Sequence, residues 1–273
     1  MSDGGPRPVT FLSDYGESDM FAGICRAVIS RISPGSPIID LTHGILPGAV
    51  GAGALSLAAA LPYTAPGVHV AIVDPGVGTR RRAVAVEVAE DGRVLVGPDN
   101  GLLAPAVNRF GGATRVVEIS NSPLRLEPVS PTFHGRDIFA PVAAAIAAGT
   151  PLDDVGVELP ARSLIPLSRP RTAVEPDRII AFVSAVDRFG NVRLDANTAV
   201  LGEAGFGPGD TIFVAAGNEE HEGIVGLTFA DARAGRLVLY GSSMGLLAIA
   251  THRGSAAAAL NVNPGSEIEL RRR

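Results

Sequence analysis

The chain has a single cysteine, no excess of basic charge and no long apolar run, and each absence removes a class of protein. Of its 273 residues only Cys25 carries a thiol, so no internal disulfide can form and a reducing compartment is expected. Cys25 falls in an apolar helical pattern, which makes it a buried structural thiol. The formal net charge is −5. The only basic runs are Arg80 to Arg82 and the last three residues, which is no footprint for nucleic acid. No segment has 18 uninterrupted apolar residues, and MSDGGPRPVTF lacks the basic, apolar, small-residue pattern of a signal peptide. A cytoplasmic protein without membrane contact is expected. No Gly-x-Gly-x-x-Gly follows the first strand and no Walker loop is present, which argues against a dinucleotide or P-loop site. There is no His-x-His, His-Glu-x-x-His or Cys pair. A metal is therefore not expected, although Asp14, Asp74 and His134 are residue types that can ligate one.

What is present is a globular composition, 46% hydrophobic and 19% charged, with 33 Gly and 21 Pro spread along the length. Such a chain builds many short elements joined by tight turns, and its length suits two domains. PVTFLS (8–13) reads as a strand. Phe21, Ile24, Cys25, Val28 and Ile32 line one face of a helix, with Ser18 or Asp19 as its N-cap. A strand at 37–43, a helix from Val50 to Leu61 and a strand at 68–73 follow. Then come a hairpin of 83–89 and 93–96 around Asp91-Gly92, a helix at 102–109, a strand at 114–119 and a helix at 137–148. Strand and helix alternate, so residues 1–168 form an α/β domain with a largely parallel sheet. SRPRTAVEPD has two prolines and no apolar period, and 169–177 reads as a linker. Beyond it lie six short strand candidates and one helix, Ser255 to Leu260. Residues 178–273 are thus expected to form an all-β barrel domain.

The stretch AIVDPGVGTRRRAVAVEV concentrates the chemistry. An apolar run ends on Asp74, a Pro-Gly-Val-Gly turn follows, and three arginines lead into an alternating strand. Read as strand, turn and strand, it is either a hairpin with a surface ion pair or one wall of a site. Polar residues also stand beyond other strand ends: Asp14, Asp40 to His43, Asp99-Asn100, and Thr132 to Asp137. Ligands of open α/β sheets bind outside the carboxyl ends of the strands. Asp14, Asp74 and the His134 loop are therefore candidate neighbours in one crevice. A carboxylate, a guanidinium and an imidazole can together hold and polarise a water. Local alternatives exist for each: Asp14 as turn chemistry, Asp99 to Gly101 as a turn, His134 as part of a capping loop, and Arg136-Asp137 as a local ion pair. His69 reads as a packed sheet histidine, and His221 as a surface-loop residue among acidic neighbours.

Seven motifs, taken together, resemble the S-adenosyl-L-methionine hydroxide adenosyltransferases, the hydrolase relatives of the fluorinase and chlorinase. They are FLSDYGESDMFAGICRAVI, IIDLTHGI, HVAIVDPGVGTRRRAVAV, GPDNGLL, TFHGRDIFAP, VDRFGNVRL and YGSSMGLLAIA, in order from residue 11 to 250. The resemblance implies an α/β domain followed by a β-barrel, in a homotrimer whose site lies between the N-terminal domain of one subunit and the C-terminal domain of its neighbour. It implies attack of water or hydroxide at C5′ of the adenosyl group, giving adenosine and L-methionine without a cofactor. Its Asp-Arg-His set falls on Asp74, Arg81 and His134. Asp14 matches the carboxylate that holds the ribose hydroxyls. Asp187, Phe189 and Asn191 match adenine and methionine contacts, and Ser243 matches a contact to the amino-acid end. Thr132, Phe133 and Gly135 accompany His134 as substrate-binding positions.

Several departures bear on the reaction. The halogenating relatives carry Tyr where this chain has Asp74, the fluorinase has Ser where it has Gly135, and the span from Val88 to Val94 is too short for the fluorinase's inserted loop. All three point to hydrolysis. Arg193 and Met244 stand where the fluorinase has an aromatic residue and an arginine, which leaves recognition of the methionine end open. Which of Asp74 and His134 takes the proton is also open. The alternatives are halide-dependent adenosyl transfer, a non-catalytic adenosine or S-adenosylmethionine binder, and a metal-dependent nucleotide hydrolase.

Overall fold

The computed structural model describes residues 5–168, 172–233 and 235–272. Contacts divide the chain into two compact units, Met1–Ser168 and Arg169–Arg273.

The first unit contains β1 (Val9–Ser13), α1 (Phe21–Ile32), β2 (Ile38–Thr42), α2 (Val50–Ala60), β3 (Val68–Ile72), β4 (Ala83–Val88) and β5 (Val94–Pro98). It continues with α3 (Ala104–Arg109), β6 (Ala113–Glu118), α4 (Ala140–Ala147) and β7 (Val157–Leu159). Its seven strands run in the order β2-β1-β3-β5-β4-β6-β7. The pairings β1–β2, β1–β3 and β3–β5 are parallel, and those of β4 with β5 and β6, and of β6 with β7, are antiparallel. Alternation along each strand divides its apolar residues between two cores. Val68, Val70 and Ile72 face one with α1 and α4, while Ala71 and Val73 face the other with α2 and α3. α4 has no polar face, and all eight of its residues are buried.

Three expectations change. β3 and β4 do not form a hairpin, because β5 inserts between them and pairs with both. The Asp74–Arg82 segment is a crossover loop at the sheet's end, and the real hairpin is β4–β5. Helix α1 starts without Ser18 or Asp19 as cap: Met20 holds that position, already helical at φ −75° and ψ −7°, with no side-chain capping bond. The helix at 137–148 opens as a π-helical turn, Gly135–Phe139, before α4 begins.

The second unit comprises β8 (Ala173–Glu175), β9 (Arg178–Val186), β10 (Val192–Asn197), α5 (Ala199–Glu203), β11 (Thr211–Ala216), β12 (Glu219–Val225), β13 (Leu237–Gly241), β14 (Leu246–Thr251), α6 (Ala256–Leu260) and β15 (Glu267–Arg272). Strand order is β10-β14-β13-β12-β11-β15-β9-β8, and β10 also pairs with β9. Seven strands thereby close into a barrel that leaves none of their edges unpaired. Ile179, Ala181 and Val183 of β9 point inward with Val192 and Leu194 of β10. β8 pairs with β9, so this sheet begins inside the stretch read as linker; residues 169–171 of that stretch lie outside the described residues. His221 is in β12, opposite Val214, rather than in a loop. His69 is a buried sheet residue bonded through Nδ1 to Thr10 Oγ1 at 2.9 Å.

Candidate active site

β1 and β3 lie side by side, while β2 leaves on the far side of β1. The connections therefore diverge at the carboxyl ends of β1 and β3, the place where open α/β sheets bind ligands. Asp14 directly follows β1, and its N–H donates to Ile72 O at 3.2 Å, which sets it beside the end of β3. Its Oδ2 accepts from Gly48 N at 2.9 Å. Burial raises the Asp14 carboxyl above its ordinary value, although the Gly48 bond opposes the shift. Asp74 stands two residues beyond β3. The end of that strand is held by Asn100, whose Nδ2 donates to Val73 O at 2.9 Å.

The three consecutive arginines have three environments. Arg80 is exposed. Arg82 turns to Asp99, with Nε 2.9 Å from Oδ2. Arg81 grips Asp74 with both prongs of its fork: Nε donates to Oδ1 at 3.1 Å and Nη2 donates to Oδ2. The side chains are 8% and 6% exposed, so this is a buried pair and not the solvated ion pair of a surface loop. Nη2 also lies 3.2 Å from His134 Nδ1, and Nη1 is buried with no hydrogen-bond partner among the described residues. A guanidinium can only donate, so Nδ1 must accept and neutral His134 carries its proton on Nε2. Burial first and the Arg81 charge second pull the His134 pKa below 6.5.

Two glycines make this assembly possible. Gly78, in the turn between Asp74 and Arg81, has φ +77°, and a Cβ there would lie 2.4 Å from Pro131 O. Only a bare backbone lets the two loops approach so closely. At Gly135 a Cβ would lie 2.2 Å from Tyr15 Oη and 3.3 Å from Cys25 Sγ. Tyr15 is packed against Phe21 and Phe133, with ring centroids 5.9 and 6.0 Å away. A serine at 135 would displace that ring. Below it, burial pushes the Cys25 thiol up to about 12, which leaves it inert at neutral pH. Thr132 is exposed and hydrogen-bonds Ser130 Oγ, through Oγ1 and its own N–H, both at 3.3 Å. Arg136 and Asp137 form the local ion pair, with Nε 2.6 Å from Oδ1. Asp137 Oδ2 also accepts from Ser130 N, which braces the loop carrying His134.

In the second unit Asp187, Phe189, Asn191 and Ser243 border one cavity of about 1070 Å³. Asp187 Oδ1 accepts from Phe189 N and Asn191 N at 2.8 and 2.9 Å, and Oδ2 accepts from Asn191 Nδ2 at 2.7 Å. The carboxylate thus builds the turn that projects the Phe189 ring, which is 65% exposed. Ser243 lies exposed in the turn between β13 and β14.

Two family models cover most of the chain: the SAM hydroxide adenosyltransferase N-terminal domain over residues 9–156 and the C-terminal domain over residues 181–269. The chain belongs to this family. It is 42% identical over 266 residues to the (R)-S-adenosyl-L-methionine hydrolase of Salinispora tropica, an alignment that covers 97% of this chain and 98% of that one. A conserved protein from Thermotoga maritima shares its structure with a TM-score of 0.88 at 36% identity, over 97% of this chain and 100% of that one. A fluorinase from Actinopolyspora mzabensis is more distant, 28% identical over 299 residues and the full length of both chains.

Within this adenosyltransferase framework the first unit brings Asp14, Asp74, Arg81, Phe133, His134 and Gly135 to one end of its sheet. Thr132 stays at the rim. The other four predicted residues gather on the second unit. The sequence does not mark Tyr15 or Gly78 as site residues and shows Asn100 only as a polar residue at a strand end; all three help to place the candidate site residues. The second glycine of Pro-Gly-Val-Gly was the available sign of Gly78. Nothing local marks Tyr15 as the ring against which Gly135 packs.

Proposed function

We propose that this chain hydrolyses (R)-S-adenosyl-L-methionine at C5′ to adenosine and L-methionine, with Asp74, Arg81 and His134 holding the attacking water. The observation that carries the reading is the buried Asp74–Arg81 pair with half-buried His134 against it, at the same end of the sheet as Asp14. It is supported by the relatives named (R)-S-adenosyl-L-methionine hydrolase, a name that specifies that epimer. Water's oxygen forms the new C5′–O bond while the C5′–S pair returns to sulfur. Methionine leaves as a neutral thioether, so no acid is needed at the leaving group. The site has only to position a nucleophile and accept one proton. His134 Nδ1 is engaged by Arg81 and its Nε2 carries a proton, which leaves Asp74, with carboxylate lone pairs to spare, as the acceptor. The unpartnered Arg81 Nη1 is a donor for the developing hydroxide. Two carboxylates, Asp14 and Asp74, disfavour a halide ion at this point and tolerate neutral water.

Asp14 is assigned to the ribose diol, since one carboxylate suits two adjacent hydroxyl donors. No step calls for a cofactor. The same proposal takes the protein as a cytoplasmic homotrimer in which the second unit of a neighbour completes the site. Exposed apolar residues around each half support it: Met20, Phe21 and Leu46 on the first unit, and Phe189, Leu227, Phe229 and Met244 on the second. Sedimentation measures the assembly directly.

The deciding experiment incubates purified protein with each sulfonium epimer, with and without chloride or fluoride. The expected products are adenosine and methionine in equal amounts, unchanged by halide or chelator. A 5′-halogenated nucleoside would make the chain a halide transferase. Binding with no adenosine released over hours would make it a binder. The pH profile follows from His134. Arg81 requires the unprotonated Nδ1, and the imidazole is neutral above its lowered pKa. kcat/KM is therefore expected to be level through neutral pH and to fall only below about 6.5. An acid limb centred above 6.5 contradicts this placement of His134.

A further inference from the structure

Two buried side-chain polar atoms without a hydrogen-bond partner among the described residues, Arg193 Nε and Thr251 Oγ1, belong to residues that border the same cavity on the second unit. Arg193 lies on β10 opposite Ala248 of β14, between Val192 and Leu194, which point into the barrel. Alternation therefore sets its side chain on the outer wall, facing the cavity. Among the described residues no carboxylate lies within ion-pair distance of its guanidinium. The carboxylate bordering the cavity is Asp187, and three turn donors already occupy it. The other basic groups on the wall are differently placed. Arg253 is exposed at a left-handed turn, and His252 is tied through Nδ1 to Ala232 O at 2.9 Å. A half-buried guanidinium with a dry, unsatisfied N–H is costly unless something brings it an anion. Burial already lowers the Arg193 pKa, with Asp187 opposing from a distance.

We propose that Arg193, with Thr251 on the same wall, is the receptor for the α-carboxylate of the substrate's amino-acid end and selects substrates that keep it. This rests on the hydrolase reading above. The planar fork of Arg matches a carboxylate with two parallel N–H bonds, and the Thr251 hydroxyl adds a further donor. A site built for that group penalises a ligand lacking it, because the buried donors are then left unpaired.

The test compares S-adenosyl-L-methionine with its decarboxylated analogue, which keeps the sulfonium and the nucleoside but has no carboxylate. Wild type, Arg193→Met and Arg193→Lys are assayed by adenosine release and, separately, by calorimetric binding of both compounds and of adenosine. Wild type is expected to favour the carboxylated compound by about 10²-fold. Arg193→Met should weaken that compound by about the same factor while shifting the analogue and adenosine by less than about threefold. Arg193→Lys should fall between, since an ammonium keeps the charge but loses the fork. The melting temperature of Arg193→Met should equal or exceed that of wild type, because an unpaired buried cation has been removed. Equal losses on both compounds, no loss on either, or a wild type indifferent to the carboxylate overturns the proposal. A protein that binds both compounds but releases no adenosine overturns the hydrolase reading instead, and the binding comparison still decides Arg193.

Discussion

Asp74→Ala is expected to slow adenosine release by about 10²-fold or more, with adenosine affinity held within a few-fold. The carboxylate is the proton acceptor of the proposed reaction, and it also fixes Arg81, whose two prongs close on it. Removing it leaves a guanidinium that is 8% exposed without its counter-charge. Breaking one side of a buried pair costs about 3–5 kcal/mol, so the variant should also melt earlier. Asp74→Asn separates the two effects. It keeps the volume and one acceptor for Arg81 but cannot take the proton, so it should regain most of the stability and little of the turnover. Product release followed by chromatography, beside a thermal melt, reads both quantities. Full activity in Asp74→Ala would remove Asp74 from the water-holding set.

Gly78→Val is expected to reduce turnover by a similar factor although residue 78 carries no chemistry. Its φ of +77° is a region that a β-branched residue rarely enters, and its Cβ would meet Pro131 O at 2.4 Å. The strain is relieved only if the loop bearing Asp74 and Arg81 moves away from the loop bearing His134. The 3.2 Å contact between Arg81 and His134 cannot survive that movement. A misplacement of about 1 Å in a positioned site can lower the rate by about 10². The distinguishing measurement is the acid limb of the pH profile. If the loops separate, His134 loses the Arg81 charge and its pKa moves back up towards 6.5, so the limb shifts to higher pH. Unchanged turnover and an unchanged limb would show that the two loops do not need this close approach.

Periodicity and strand ends made much of the architecture legible. The alternation of Ala83 to Val88, the helical spacing of Phe21 to Ile32 and the Asp-Gly turn at 91–92 are local signals, and the elements form where those signals stand. The π-helical start of α4 and the capping of α1 at Met20 were not legible. Both depend on what the segment packs against rather than on its own residues. Strand β10 was not legible because Val192–Asn197 is short and polar on its outer side, and although β9 precedes it directly, its other partner, β14, lies far away in the chain. The candidate acid–base residues were visible as polar residues after apolar runs, and the resemblance chose among them. Their support from Tyr15, Gly78 and Asn100 was not visible, because each acts on a residue from another segment.

By itself the sequence determined most of the strands and helices, since apolar period and turn chemistry are properties of neighbours along the chain. It also determined that a carboxylate ends β3 and that three arginines follow it. The residue pattern left open which arginine is the partner of Asp74; the resemblance pointed to Arg81, and the tertiary structure supplies the physical reason. Insertion of β5 between β3 and β4 turns the intervening loop over the end of the sheet, where Arg81 meets Asp74 and His134 while Arg82 meets Asp99. That choice is made by strand order, and strand order is settled by which apolar faces bury together across long separations in sequence.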